Sequence, residues 1–299
     1  MERIIIGFIF GAVFGSFIDC IANRSYTKQS FWGRSHCDNC KKTLTWYQLF
    51  PIISYLTLRG KCTSCHKKIS LESTLVEIIT GLITAMVAFM LIPANFITYD
   101  WTYQLLIGLD FLFKLFAIYV FIMVFITDIK TGLIPDRITY PSVIIAAGYL
   151  IFISVLKIAL FYFSLKNSPL GQYLLPPASN YFYNQILTML TPVGLSFLSG
   201  IVVGLFFLIL ILATSGRGMG GGDMKLGVFI GLVLGFPVSV AAIMLAFLLG
   251  SIFGIALLLI RLKKFGQTIP FGPFLSIASV IALLWGEKLI DWYLNFHLF

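Results

Sequence analysis

The chain has 299 residues, of which 59% are apolar, 16% aromatic and only 11% charged, with a mean hydropathy of +0.96. A water-soluble domain carries about a quarter charged residues, so this composition excludes one and points to a chain solvated mainly by lipid. The net charge of +9 matches the Lys/Arg excess of cytoplasmic loops, and its distribution favours those loops over a nucleic-acid surface.

Uncharged runs at 4–18, 78–99, 115–127, 138–156, 167–216, 226–260 and 265–286 are measured against the roughly 20 apolar residues that cross a bilayer. The run 115–127 reaches that length only if extended back through Asp110 and Lys114, which pair at i and i+4 on one helix face. The run 226–260 is too long for one span and breaks at Gly235-Phe236-Pro237, because proline lacks an N–H and restricts the residue before it. The turn residues Asn167, Ser168, Pro169, Pro176, Pro177 and Asn180 delay the next helix to about 187. The prediction is an all-α polytopic membrane protein of about eight spans: 4–22, 75–97, 103–127, 138–163, 187–213, 225–235, 237–261 and 271–290.

The first segment has a lone Arg3 and no small-residue cleavage site after it, so it reads as a retained helix and not a signal peptide. Sixteen of the 21 Lys and Arg fall in 23–73, 128–138, 214–225 and 261–270. That bias puts these loops in the cytoplasm and both termini outside. The domain reading is a first helix at 1–22, a small cytoplasmic domain at 23–73 and a membrane core at 74–299.

Within the small domain, Cys37-x2-Cys40 and Cys62-x2-Cys65 form two chelating pairs, the pattern of a tetrahedral thiolate site. On the reducing side of a membrane disulfides are disfavoured, and zinc is the expected ion for four thiolates. Such a site is structural, and about 50 residues with few large apolar groups need it to fold. His36 and His66 read as solvated neighbours, and Cys20 as a small apolar residue. Nine Lys/Arg against Asp38 and Glu72 allow a nucleic-acid ribbon, but orientation and anionic lipid explain the charge, so no nucleic-acid partner is expected.

Five of the twelve acids lie where a predicted helix meets the cytoplasmic face: Asp19, Glu77, Asp128, Asp136 and Asp223. Ionisable groups at that depth are functional candidates. Asp128 ends the third span, and Asp223 opens the sixth after a glycine-rich stretch, 216–222, that reads as non-helical and open to close backbone approach. No Gly-Lys-Ser/Thr follows those glycines, which argues against a nucleotide loop. Two carboxylates a few ångströms apart share one proton, so one can act as base on a water while the other protonates a carbonyl oxygen. The alternative is a flexible connector with each Asp capping a helix. Asp136 also reads as a turn residue after Pro135, and Asp19 and Glu77 as polar contacts between helices.

These residues resemble the type IV prepilin peptidases (prepilin leader peptidase/N-methyltransferases), which are intramembrane aspartyl proteases. The resemblance rests on Gly15-Ser16-Phe17, the four cysteines with Ser35-His36, the stretch from Asp128 to Ile134-Pro135-Asp136, the Gly-x-Gly-Asp at 220–223 with Lys225-Leu226-Gly227, and Pro270-Phe271-Gly272-Pro273-Phe274. It implies a bacterial inner-membrane enzyme with Asp128 and Asp223 as the catalytic dyad. The family cuts the short basic leader of type IV prepilins or pseudopilins after a Gly on the cytoplasmic side. It then methylates the new N-terminus with S-adenosylmethionine. Where the family usually has Asn and an apolar pair after Gly-Ser-Phe-x, this chain has Asp19-Cys20. Glu77 matches an acid common in the family, with a methyltransferase or a structural role open to it. Two other readings stand beside this one: a leader peptidase without methyl transfer, and a non-catalytic transporter using the aspartates as an ion relay.

Overall fold

A computed structural model describes the chain except for residues 28–29, 32, 38, 41, 69–70, 178, 217–218, 263–268 and 298–299. Among the described residues the architecture is helical, with two isolated β-bridges in the cysteine loop. The helices are α1 (Glu2–Tyr26), α2 (Ile53–Thr57), α3 (Leu71–Leu91), α4 (Trp101–Thr131), α5 (Asp136–Lys166), α6 (Gly171–Leu174), α7 (Tyr181–Ala213), α8 (Gly221–Leu234), α9 (Val238–Leu259) and α10 (Gly272–His297). Seven of them, all but α2, α6 and α8, are long and apolar enough to cross a membrane. The chain divides into two compact units, Met1–Pro135 and Asp136–Phe299.

In the first unit α1 lies directly against α3. Gly11 and Gly15 make this possible: a Cβ on Gly11 would come within 2.5 Å of the Thr84 side chain, and one on Gly15 within 2.8 Å of the Glu77 Cα. Lipid gives helices no hydrophobic reason to associate, so small residues that let backbones approach supply the packing contacts. Helix α4 packs on both, with the Thr84 and Tyr119 hydroxyls 3.1 Å apart and Phe14 stacked on Tyr119. The Asp110–Lys114 pair expected on α4 forms at 2.9 Å.

In the second unit α8 is held mainly by α7. A Cβ on Gly231 would meet the Gly200 Cα at 2.5 Å, and one on Gly227 the Phe207 ring at the same distance. The Ser199 and Ser239 hydroxyls, 2.6 Å apart, join α7 to α9. The fourteen residues of α8 span about 21 Å at 1.5 Å per residue, short of the roughly 30 Å hydrocarbon core. It ends at Gly235, whose φ of 65° makes the break expected there.

Among the described residues seven helices reach spanning length against the eight or so expected, because α8 is too short, and several boundaries differ: α3 covers Leu71–Leu91 instead of 75–97 and α10 runs on to His297 instead of 290. Helix α7 starts at Tyr181, six residues before the expected 187, with Asn180 as its N-cap, and it carries Pro192 internally, which neighbouring groups make tolerable in membrane helices. Helix α8 takes Gly221 and Gly222 into its first turn, although glycine disfavours a helix. The Asp223 carboxylate explains this, because it accepts the Gly220 N–H at 3.1 Å and so satisfies a donor that a helix start leaves open.

Candidate active site and metal centre

Each cysteine pair sits on a tight turn built by its own backbone. Around the first, the Cys37 N–H donates to Lys42 O at 3.0 Å and the Leu44 N–H to Ser35 O at 2.8 Å, with His36 bridged to Thr43. Around the second, the Cys62 N–H donates to Lys67 O at 3.0 Å, with Lys61 bridged to Lys68. Side chains tie the two turns together: Lys67 Nζ donates to Asn39 Oδ1 at 2.9 Å and Gln48 Nε2 to Thr63 Oγ1 at 2.8 Å.

The sulfurs of Cys37, Cys40, Cys62 and Cys65 consequently lie within 4.8 Å of one another, and the Cys37 and Cys65 sulfurs are 3.9 Å apart. A tetrahedron with metal–sulfur bonds of about 2.3 Å has edges of about 3.8 Å, so the cluster has the dimensions to hold a metal ion. Backbone N–H groups of Cys65 and Ser64 aimed at the Cys62 sulfur, reinforced by the neighbouring thiols, lower its pKa to about 6. The Lys67 N–H and the Asn39 amide lower that of Cys65. Both effects favour the thiolate at Cys62 and Cys65. At Cys40 the Lys42 backbone contact, which lowers the pKa, is outweighed by burial and the neighbouring thiols, which push that thiol up to about 11. His36 and His66 stand outside the four-sulfur group, and Cys20 is half-buried in α1.

The acids named from the sequence are all placed on helices. Asp128 is 3% exposed in the last turn of α4, one turn further inside the helix than expected, since α4 runs on to Thr131 and closes with Gly132 N–H donating to Asp128 O at 2.8 Å. Asp223 is 8% exposed at the third position of α8. Asp136 opens α5 and pairs with Lys225 of α8 at 2.5 Å. The Lys225 ammonium also stands 4.6 Å from the centre of the Tyr140 ring. The helix start that carries Asp223, after Gly220-Gly221-Gly222, is thus tied to α5 through Lys225, two residues along.

Asp19 and Glu77 are buried in the first unit. Ser73 donates its hydroxyl to Asp19 Oδ2 at 2.6 Å, and the Ile52 N–H donates to Glu77 Oε2 at 2.8 Å. Glu77 therefore holds a backbone group of the cysteine loop. Ile52 has φ 61° and ψ −51°, and the next N–H, of Ile53, returns to Pro51 O. This is a γ-turn of the rare, strained kind, on a β-branched residue that seldom adopts positive φ.

The chain's similarity to known proteins follows the same parts. A profile for the bacterial peptidase A24 N-terminal domain matches residues 9–91, and one for the type IV leader peptidase family matches residues 115–255. A prepilin leader peptidase/N-methyltransferase of Bacillus subtilis is 31% identical over 293 residues, covering 97% of this chain and 98% of that protein. The chain belongs to the type IV leader peptidase family. Proteins of the same name from Aeromonas salmonicida, 31% identical over 88% of this chain and 75% of theirs, and from Pseudomonas aeruginosa, 29% identical over 88% and 75%, are also similar to it. No solved structure matches the chain.

For a member of this family, several site-building contacts left no trace in its sequence. The buried Arg24 guanidinium donates to Phe31 O at 2.8 Å and Gly33 O at 3.1 Å. Lys130 bridges to Glu72 at 2.9 Å and donates to Asn23 Oδ1 at 3.3 Å. The pairings of Ile52 with Glu77 and Ser73 with Asp19 join residues 25 and 54 positions apart, and only the buried acids themselves were a signal.

Proposed function

We propose that this leader peptidase cuts the short basic leader of type IV prepilins or pseudopilins after a Gly, on the cytoplasmic side of a bacterial inner membrane. Asp128 and Asp223 act as one dyad. In the resting pair one carboxyl keeps its proton while the other is ionised, because two adjacent carboxylates cannot both carry charge. The ionised partner takes a proton from water as that water attacks the scissile carbonyl, and the protonated partner donates to the carbonyl oxygen. The Gly220 N–H donates to the Asp223 carboxylate and so fixes its orientation in the first turn of α8. Cleavage leaves a new N-terminal amine on the pilin, and S-adenosylmethionine supplies the methyl group for it.

Four thiolates spaced for a tetrahedron support zinc as the ion of residues 23–73, with Cys37, Cys40, Cys62 and Cys65 as ligands and a structural role. The Lys/Arg bias of the loops supports their cytoplasmic placement. The observation that carries the reading is family membership over nearly the whole chain with both aspartates buried at helix ends. Mass spectrometry of a co-expressed prepilin tests it. Wild-type enzyme yields a shortened pilin with one extra methyl, and Asp223→Asn or Asp128→Asn leaves the leader on. A shortened pilin without the methyl assigns a peptidase alone, and cleavage by both Asn variants removes the dyad.

A further inference from the structure

The cysteine loop exposes apolar side chains well outside any spanning helix. Leu49, Phe50, Ile53 and Leu56 are 43%, 48%, 60% and 68% exposed, around the single turn of α2. A lone exposed leucine is ordinary, but four within eight residues of a hydrophilic loop form a patch that marks a contact.

The depth of this patch follows from the residues that hold it. Glu72, Lys130 and Asn23, joined by the contacts at 2.9 and 3.3 Å, form a polar belt on α3, α4 and α1. Glu77 lies five residues further into α3, about 7.5 Å deeper at 1.5 Å per residue. Its carboxylate binds the Ile52 N–H, so the γ-turn between Phe50 and Ile53 sits below the polar belt, beside the membrane part of α3. That is the depth of about 5–10 Å at which apolar faces of interfacial segments rest.

The charge around the patch selects the occupant. From Asn39 to Leu71 the sequence has Lys41, Lys42, Arg59, Lys61, Lys67 and Lys68 and no acid, and Arg59 and Lys61 are exposed just after α2. Basic side chains next to an apolar patch are attracted to anionic headgroups while the patch enters the acyl region. We infer that the segment from Leu49 to Leu56 is an interfacial anchor that seats the cysteine domain in an anionic leaflet, with the lipid surface covering Leu49, Phe50, Ile53 and Leu56. The strained Ile52 turn, gripped by Glu77, aims the anchor at the bilayer.

The test uses the full-length, metal-loaded protein in nanodiscs of phosphatidylcholine with or without phosphatidylglycerol, and does not depend on enzymatic activity. A benzophenone amino acid installed at Leu56 is irradiated and its adducts are identified by mass spectrometry. The expected result is a lipid adduct, with phosphatidylglycerol enriched over its share of the bilayer. Absence of a lipid adduct overturns the inference, and so does its replacement by a pilin adduct when a prepilin is added, which would make the patch a substrate surface. As a second measurement, the Ile53→Glu/Leu56→Glu variant is expected to keep its metal content but lose protection of residues 49–59 from hydrogen exchange by at least about tenfold. Unchanged protection in that variant overturns the inference.

Discussion

The ammonium of Lys225 meets the carboxylate of Asp136 at 2.5 Å, tying the N-terminal end of α8 to the first residue of α5. Asp136 is 60% exposed, and a pair this open contributes at most about 1 kcal/mol to stability. Its weight falls on alignment instead, because Lys225 is two residues from Asp223. Lys225→Gln and Asp136→Asn are each expected to lower kcat about tenfold with KM and thermal stability nearly unchanged. The double variant should lose no more than the worse single, as expected when two side chains act through one contact. Additive losses in a double-mutant cycle of leader cleavage would show that the two residues act separately.

Glu77 separates a structural role from a methyl-transfer role by the choice of substitution. Glutamine keeps an oxygen to accept the Ile52 N–H, whereas alanine leaves that N–H without its partner, at a cost of about 1–3 kcal/mol if it stays buried. Glu77→Gln is expected to keep both activities and Glu77→Ala to loosen the cysteine loop, read as faster proteolysis between residues 27 and 70. If Glu77→Gln abolishes methylation alone, the carboxylate serves the methyl transfer and not the turn.

Close packing of α7 on α8 depends on glycine at Gly231, where an added Cβ meets Gly200 backbone at 2.5 Å. Backbone cannot yield as a side-chain end can, and forcing bulk into a packed core costs about 1–3 kcal/mol or more. Gly231→Leu is expected to lower the melting temperature in detergent and to reduce cleavage by displacing the helix that carries Asp223. A variant with wild-type melting behaviour would mean that α7 and α8 separate easily.

What the sequence made legible was whatever depends on composition or short spacing. Hydropathy located the long helices, Cys-x2-Cys located the sulfur cluster, and the Gly-Phe-Pro at 235–237 located the break after α8. The early start of α7 was hidden because Pro176, Pro177 and Asn180 signal a turn without saying that the helix resumes at once at Tyr181. The helical Gly221 and Gly222 were hidden because the capping contact of Asp223 overrides their weak propensity. Pairings such as Ser73 with Asp19 and Glu72 with Lys130 depend on which faces of distant helices meet, and local pattern carries no record of that.

Metal removal tests the cysteine cluster directly. Metal that binds only the folded domain contributes its binding energy to folding. Purified protein is expected to carry one zinc per chain by elemental analysis, and chelation or Cys62→Ser should open residues 23–73 to protease and lower both activities together. A zinc-free preparation with full activity and an intact protease pattern would refute the assignment.

The proposed dyad of Asp128 and Asp223 predicts its own pH signature. One carboxyl must be ionised to act as base, so activity falls as pH drops through the lower apparent pKa of the pair. The other must be protonated to act as acid, so activity falls again as pH rises through the upper one. Leader cleavage by the full-length enzyme is expected to give a bell-shaped profile of kcat/KM, and Asp128→Asn or Asp223→Asn to lower the rate by about 10²–10⁴-fold. Both Asn variants should also remain folded, because amide and carboxylate have nearly the same shape, with melting curves as the check. A flat profile in the wild type, or an Asn variant that cleaves at the wild-type rate, would remove the shared proton on which the mechanism depends.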